Sequence, residues 1–255
     1  MRIVIDLQGA QSGSRFRGIG RYSLSLATAM ARNANGHEIH VLLNGRFADT
    51  IEPIRSAFGD SLPAERFHVW MPARSGGAAG DDVIDERLRE AFLESLKPDV
   101  VHISSLFEGY DEPAITSVAT GECSFQTAVT LFDLIPLIYS KRYLENPDMA
   151  RWYHGKVAHM RRADLLLGIS GSAAQEAIEQ LGFEAHKVVN ISSAIDENFQ
   201  TLAPGMWDEA GLRAKYGLPR PFVMYTGGID HRKNIEGLIR AYAMLPAELR
   251  SLHQL

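Results

Sequence analysis

Short apolar runs recur along the chain, at residues 3–7, 39–43, 67–71, 100–103, 127–131, 165–169 and 188–191. Between several of them, apolar residues return every three or four positions, most clearly over 22–32, 82–96, 148–162 and 172–181. Continuous apolar runs predict strands buried on both faces, and the intervening period predicts amphipathic helices. Alternation of the two is the pattern of a parallel sheet covered by helices on both sides. Helix ends agree: Ser170 or Ser172 can cap the helix over 172–181, and Gly182 closes it. The run RSGGAAGDD, 74–82, reads as a flexible surface loop.

The rhythm breaks over DENFQTLAPGMWDEAGLRAKYGLPR and then restarts. Phe222 to Tyr225 reads as a strand, Gly227-Gly228 as a tight turn, and 234–244 as a helix with Ile235, Leu238, Ile239 and Tyr242 on one face. The expected organisation is a Rossmann-like domain over 1–203, a linker over 204–220, and the opening of a second Rossmann-like domain over 221–255.

Composition narrows the classes. The 255 residues are 45% hydrophobic and 22% charged, as in a folded globular protein. A formal net charge of -5 argues against a general nucleic-acid binder, which needs excess cations to displace counterions. The single cysteine, Cys123, cannot form an internal disulfide and gives no thiolate metal site. No apolar run approaches the roughly 18 residues that span a bilayer, and Asp6 stands where a signal peptide carries no charge. A cytoplasmic location is the expectation.

Open parallel sheets bind ligands beyond the carboxyl ends of their strands, so the loops that follow strands hold the candidate chemistry. After the first strand comes QGAQSGSRFRGIGRYSLSL, where Gly18 and Gly20 open a helix and Arg21 follows. Glycines let backbone approach a ligand, and a helix start offers free N–H groups to an anion. The loop departs from the dinucleotide pattern G-x-G-x-x-G, which disfavours an oxidoreductase. TGGIDHRKN sets Gly228, Arg232 and Lys233 between a strand and a helix whose cap is expected at Asn234. Cations beside the positive end of a helix dipole are locally unfavourable, and two of them there point to a diphosphate neutralised without metal. A solvated turn is the alternative.

Four blocks, MRIVIDLQGAQSGSRFRGIGRYSLSLATAMAR, VTLFDLIPLIYSKRYL, RRADLLLGISGSAAQEAIEQLG and FVMYTGGIDHRKNIEGLIRAY, together resemble family 4 glycosyltransferases, especially those building mannose- or rhamnose-containing bacterial polysaccharides. The resemblance implies an α/β, GT-B type fold with acceptor bound mainly by the first domain and nucleotide-sugar by the second. It implies retention of anomeric configuration, a nucleotide-diphosphate sugar as substrate rather than a cofactor, and no metal. GDP-mannose is the expected donor, and a glycan or lipid-linked molecule the expected acceptor. Donor diphosphate contacts are expected from Gly18, Gly20, Arg21, Gly228, Arg232 and Lys233. The chain is expected to stop early in the donor domain, before the family's Glu, seven residues, Glu motif. Glu86 and Glu94 share that spacing, yet read as solvated acids on a helix of the first domain.

Phe132 stands where the family tends to have His, so no imidazole role is available there. Asp133 keeps its family position as a catalytic candidate, and equally reads as an acid capping the turn into Pro136. Glu108, flanked by Gly109, Phe107 and Tyr110, is the second catalytic candidate, in a loop suited to sugar contact. His102 reads either as a cleft residue or as a core histidine. Lys141, Arg142, Arg151, Lys156, Arg161 and Arg162, mixed with Trp152 and Tyr153, read either as a peripheral membrane contact or as a solvated helix face. Two readings of the whole stay open: a transferase, and a non-catalytic acceptor domain that only binds glycan or a partner.

Overall fold

In the computed structural model, which describes residues 1–73, 83–195, 199–203 and 205–255, the chain divides into two units, Met1–Asp196 and Glu197–Leu255. The expected loop 74–82 lies outside the described residues.

The first unit is one seven-stranded sheet in the order β3-β2-β1-β4-β5-β6-β7. The strands are β1 Arg2–Asp6, β2 Glu38–Asn44, β3 Phe67–Trp70, β4 Val100–Ile103, β5 Gln126–Leu131, β6 Leu165–Gly168 and β7 Val188–Asn190. Every pairing is parallel, with Val4 facing His40 on one side and Val101 on the other. Helices α1 Gly18–Arg32, α2 Ala48–Phe58, α3 Val83–Ser95, α4 Ile135–Ile138, α5 Ser140–Tyr143, α6 Pro147–Met160 and α7 Gly171–Leu181 connect them. All seven expected strands and the four long helices are present. Helix α2 is additional: Pro53 in its interior hides its periodicity. Both faces of the sheet are buried in separate apolar clusters, one under α1 and α2 around Ile5, Val41 and Leu43, the other under α3, α6 and α7 around Val4, Val129 and Leu166.

One crossover has no helix. Residues 104–125 carry the chain from β4 to β5 as irregular backbone, much of it buried. Buried backbone N–H and C=O groups need partners, and side chains supply them. Gln8 pairs both amide groups with the backbone of Ile115, and Asn44 donates to Pro113 O. Arg89 donates to Ser117 O, Lys156 to Thr116 O, and Arg162 to Val118 O. Glu90 accepts from Thr120 N and Glu94 from Ser124 N.

This requirement inverts α3. It buries Asp85, Arg89 and Glu90 along with Leu93, and exposes Val83, Ile84 and Leu88. Glu86 is therefore not a solvated acid, pairing with His159 Nε2 at 3.2 Å, while Glu94 stays partly open to solvent and accepts Ser124 Oγ at 2.6 Å.

The second unit holds α8 Glu209–Tyr216, α9 Ile235–Ala243 and α10 Ala247–Leu252. Helix α8 falls inside the segment expected as linker. A strand over 222–225 is not formed; Phe222 makes one isolated parallel bridge to Gln254. A parallel strand needs a neighbour to satisfy its backbone groups, and none is described beside these residues. Apolar side chains here remain open to solvent, Ile229 at 96% and Met244 at 85% exposure.

Candidate functional site

The strand order turns outward in both directions from β1 and β4, which makes their carboxyl ends the switch point where open α/β sheets take ligands. The two loops leaving these ends are 7–17 and 104–125. Asp6, the last residue of β1, is 1% exposed and ion-paired with Arg89 of α3, itself 1% exposed. Its Oδ1 also accepts Gln8 N at 3.2 Å, so the pair anchors the first loop at its root. Gln11 continues the bracing: its Oε1 accepts Asn44 N at 2.7 Å, and its Nε2 donates to Thr50 Oγ1 at 2.9 Å. Sequence reasoning missed Gln8, Gln11 and Asn44. Their signal is a pair of amides, Q-G-A-Q, directly after an apolar strand, which is informative only once β2 is known to lie alongside.

Glu108 is buried at 3% exposure. Its carboxylate accepts Ser12 Oγ at 2.8 Å, Ser14 Oγ at 3.1 Å and Ser105 Oγ at 2.7 Å. Burial pushes its pKa above the usual carboxylate range, against the pull of these hydroxyls, and nearby Glu112 pushes the same way. Phe107 and Tyr110, the aromatics flanking it, pack on α6, Phe107 stacking on Tyr153 with centroids 4.7 Å apart and Tyr110 lying 5.4 Å from Trp152.

Helix α1 begins at Gly18 with Arg17 in the cap position and no side chain capping it, so the first amides keep no helical acceptor. Gly18 has open space where a side chain would be. Gly20 does not. A Cβ there would sit 2.4 Å from Arg15 Cα and 2.5 Å from Ser14 O, so Gly20 is demanded by the protein's own packing. Arg21 is exposed at the same helix start.

Asp133 is exposed after β5, and its Oδ1 accepts Ile135 N at 3.0 Å, which caps the turn into α4. Phe132 lies edge-on to Tyr22 of α1 at 5.5 Å, and Tyr22 donates to Ser192 O at 3.0 Å. His102 is a core residue: its Nε2 meets Thr130 Oγ1 at 2.8 Å, and burial lowers its pKa to about 4, leaving it neutral at physiological pH. Of the basic stretch over 141–162, Lys156 is buried and donates to Thr116, so it presents no charge at the surface, whereas Arg162 is exposed while also donating to Val118 O.

In the second unit, Gly228 O accepts Tyr225 Oη at 2.8 Å, and a 3-10 turn, His231–Lys233, precedes α9. Asp230 caps that turn and holds Arg232 Nε at 2.9 Å. Asn234 occupies the cap position of α9 in a left-handed conformation, φ 48°, without a side-chain cap bond. Lys233 is exposed.

An open cavity of about 450 Å³ lies elsewhere, against the end of α3 and the approach to β5, lined by Glu90, Glu94, Thr120 and Cys123. Burial and the adjacent Glu90 and Glu94 push the Cys123 thiol to about 11, which keeps it protonated and unreactive. Among the described residues, no group of His, Cys, Asp and Glu is arranged to hold a metal, and no helix is long and apolar enough to cross a membrane.

Residues 17–193, most of the first unit including α1 and every strand from β2 to β7, match the model of the glycosyl transferase 4-like domain. The chain belongs to that family. The serotype-specific mannosyltransferase WbdA of Escherichia coli is 36% identical over 98% of this chain and 30% of its own length. O-antigen chain mannosyltransferase B of the same organism is 24% identical over 93% of this chain and 59% of its length. Among solved structures, HepE of Anabaena in complex with UDP and glucose superposes with a TM-score of 0.57 at 18% identity, over 96% of this chain and 58% of that one. The α/β fold class expected from the sequence, of GT-B type, is thus the fold of this family member. The chain spans less than two thirds of the length of each of these relatives.

Proposed function

We propose that the chain belongs to a retaining, metal-independent glycosyltransferase that moves a sugar, mannose in the first instance, from a nucleotide-diphosphate donor to a glycan or lipid-linked acceptor. The observation that carries this is the family match over 17–193, which runs from the uncapped start of α1 through the second switch-point loop, 104–125. WbdA supports mannose, and HepE, with its bound UDP, supports a nucleotide donor. Departure of a nucleoside diphosphate develops charge on its β-phosphate. Fixed cations and helix N–H groups can meet that charge without metal. In this reading α1 offers its free amides with Arg21, and the second unit offers Lys233, with Arg232 partly neutralised by Asp230. Gly18 and Gly228 each have open space where a side chain would be, and Asp133, exposed after β5, is the candidate to act on the transferring sugar. The cytoplasm supplies nucleotide sugars, and a lipid-linked acceptor would bring the protein to the inner face of a membrane.

The test is transfer of labelled mannose from GDP-mannose to a mannan or lipid-linked mannoside, with and without EDTA. Transfer that survives chelation is expected. Activity abolished by EDTA and restored by a divalent ion would overturn the metal-free mechanism. Binding of mannan without transfer would favour the acceptor-domain reading.

A further inference from the structure

The sequence makes Glu108 a candidate to touch sugar, but its surroundings give it another task. Both carboxylate oxygens are occupied by hydroxyls, Ser12 and Ser14 on one and Ser105 on the other. Ser12 Oγ also accepts Ser14 N at 3.2 Å, and Glu112 accepts Gly13 N at 2.7 Å, so two acids from the second loop hold three consecutive residues of the first. The turn between the acids depends on Gly109, at φ +97°, where a Cβ would lie 2.1 Å from Ala114 O. From Ser14 and Arg15 the restraint passes on by contact, because their backbone sits against Gly20 in the first turn of α1.

We propose that Glu108 is a positioning residue: its buried carboxylate clamps residues 12–14 and, through their packing on Gly20, fixes the open amino terminus of α1 where the anionic part of the donor docks. The last step rests on the donor reading above; the clamp itself does not. No bond to substrate is required of Glu108. A buried carboxylate is disfavoured unless hydrogen-bonded, so an all-hydroxyl seat ties its position to the loop it holds. Glu108→Gln can preserve the clamp, its amide oxygen serving Ser12 and Ser14 while its NH2 donates to Ser105. Glu108→Ala cannot.

Hydrogen exchange and pyrophosphate titration on the 255-residue chain separate the two steps. Amides of Gly13, Arg15, Arg17 and Arg21 are hydrogen-bonded and report on the loop. In Glu108→Ala their exchange should quicken by about tenfold or more, the scale of losing hydrogen bonds to a charged group, while β1, β4 and β5 stay protected. Pyrophosphate affinity should fall by about tenfold, and Glu108→Gln should restore both to within about threefold of the parent. Unchanged loop exchange in a folded Glu108→Ala overturns the clamp, and so does an affinity loss without an exchange change, which would mean direct contact. Faster loop exchange in a chain whose parent binds no pyrophosphate supports the clamp and removes α1 from the donor reading. Should Glu108→Ala not fold, Ser12→Ala with Ser14→Ala must quicken the same amides, and failure to do so overturns the proposal.

Discussion

The loops after β1 and before α9 share a plan, with glycines, then arginine, then a helix start, yet they are built differently. The first is braced by Asp6, Gln8, Gln11 and Glu108, all buried, and Gly20 in the helix turn that follows is compressed against it. The second is exposed, held by local bonds within Tyr225–Asn234, and its Gly228 has free space around it. The contrast separates two uses of glycine: close packing of the protein on itself, and room for something else. It also separates buried polar groups that set a shape from exposed ones that can meet a ligand.

The largest expected effect attacks the root of the first loop. Asp6→Ala leaves the Arg89 guanidinium buried without its partner, and unpaired buried charges cost about 3–5 kcal/mol. Urea denaturation should register that loss in the first unit. A loss below 1 kcal/mol would mean the brace is dispensable. Next is Lys233→Ala in the active transferase, which should lower turnover by roughly two to three orders of magnitude, the scale for one preorganised donor to a developing anion. Thermal stability should not change, because Lys233 is exposed. Near-normal turnover would withdraw the diphosphate role from the second loop.

The two glycines form a matched pair. Gly20→Val should cost about 1–3 kcal/mol as an overpacked contact, whereas Gly228→Ala should stay within about 0.5 kcal/mol. Equal melting temperatures for the two variants would erase the distinction. The smallest effect is a pH dependence. Burial raises the folded pKa of Glu108 above its ordinary 4.5, so its favourable contribution is present below that ordinary value and lost as pH rises through the folded one. Glu108→Gln has no such proton, so stability relative to this variant should shift toward the parent as pH falls from 7 to 5. An unchanged difference would show that burial does not penalise the ionised form.

Helix α3 shows how far sequence reading reached. Its extent is legible from periodicity, but its buried face is not, because a helix normally buries apolar residues and here the neighbour is irregular backbone hungry for polar partners. Val83, Ile84 and Leu88 consequently face outward, and Arg89 and Glu90 inward. Lys156 departs from a surface role for the same reason, since its buried ammonium serves that crossover. Glu108 was found as a notable acid, yet its partners Ser12 and Ser14 lie 96 and 94 residues away in sequence.

Strands, the long helices between them and the family resemblance are all readable along the chain, since apolar runs, helical period and motif blocks are local and survive in one dimension. Which polar residues are buried, which glycine is crowded and which cation is already paired emerge only on folding. Those properties belong to distances between segments remote along the chain, and desolvation and hydrogen bonding act on such distances, not on sequence separation.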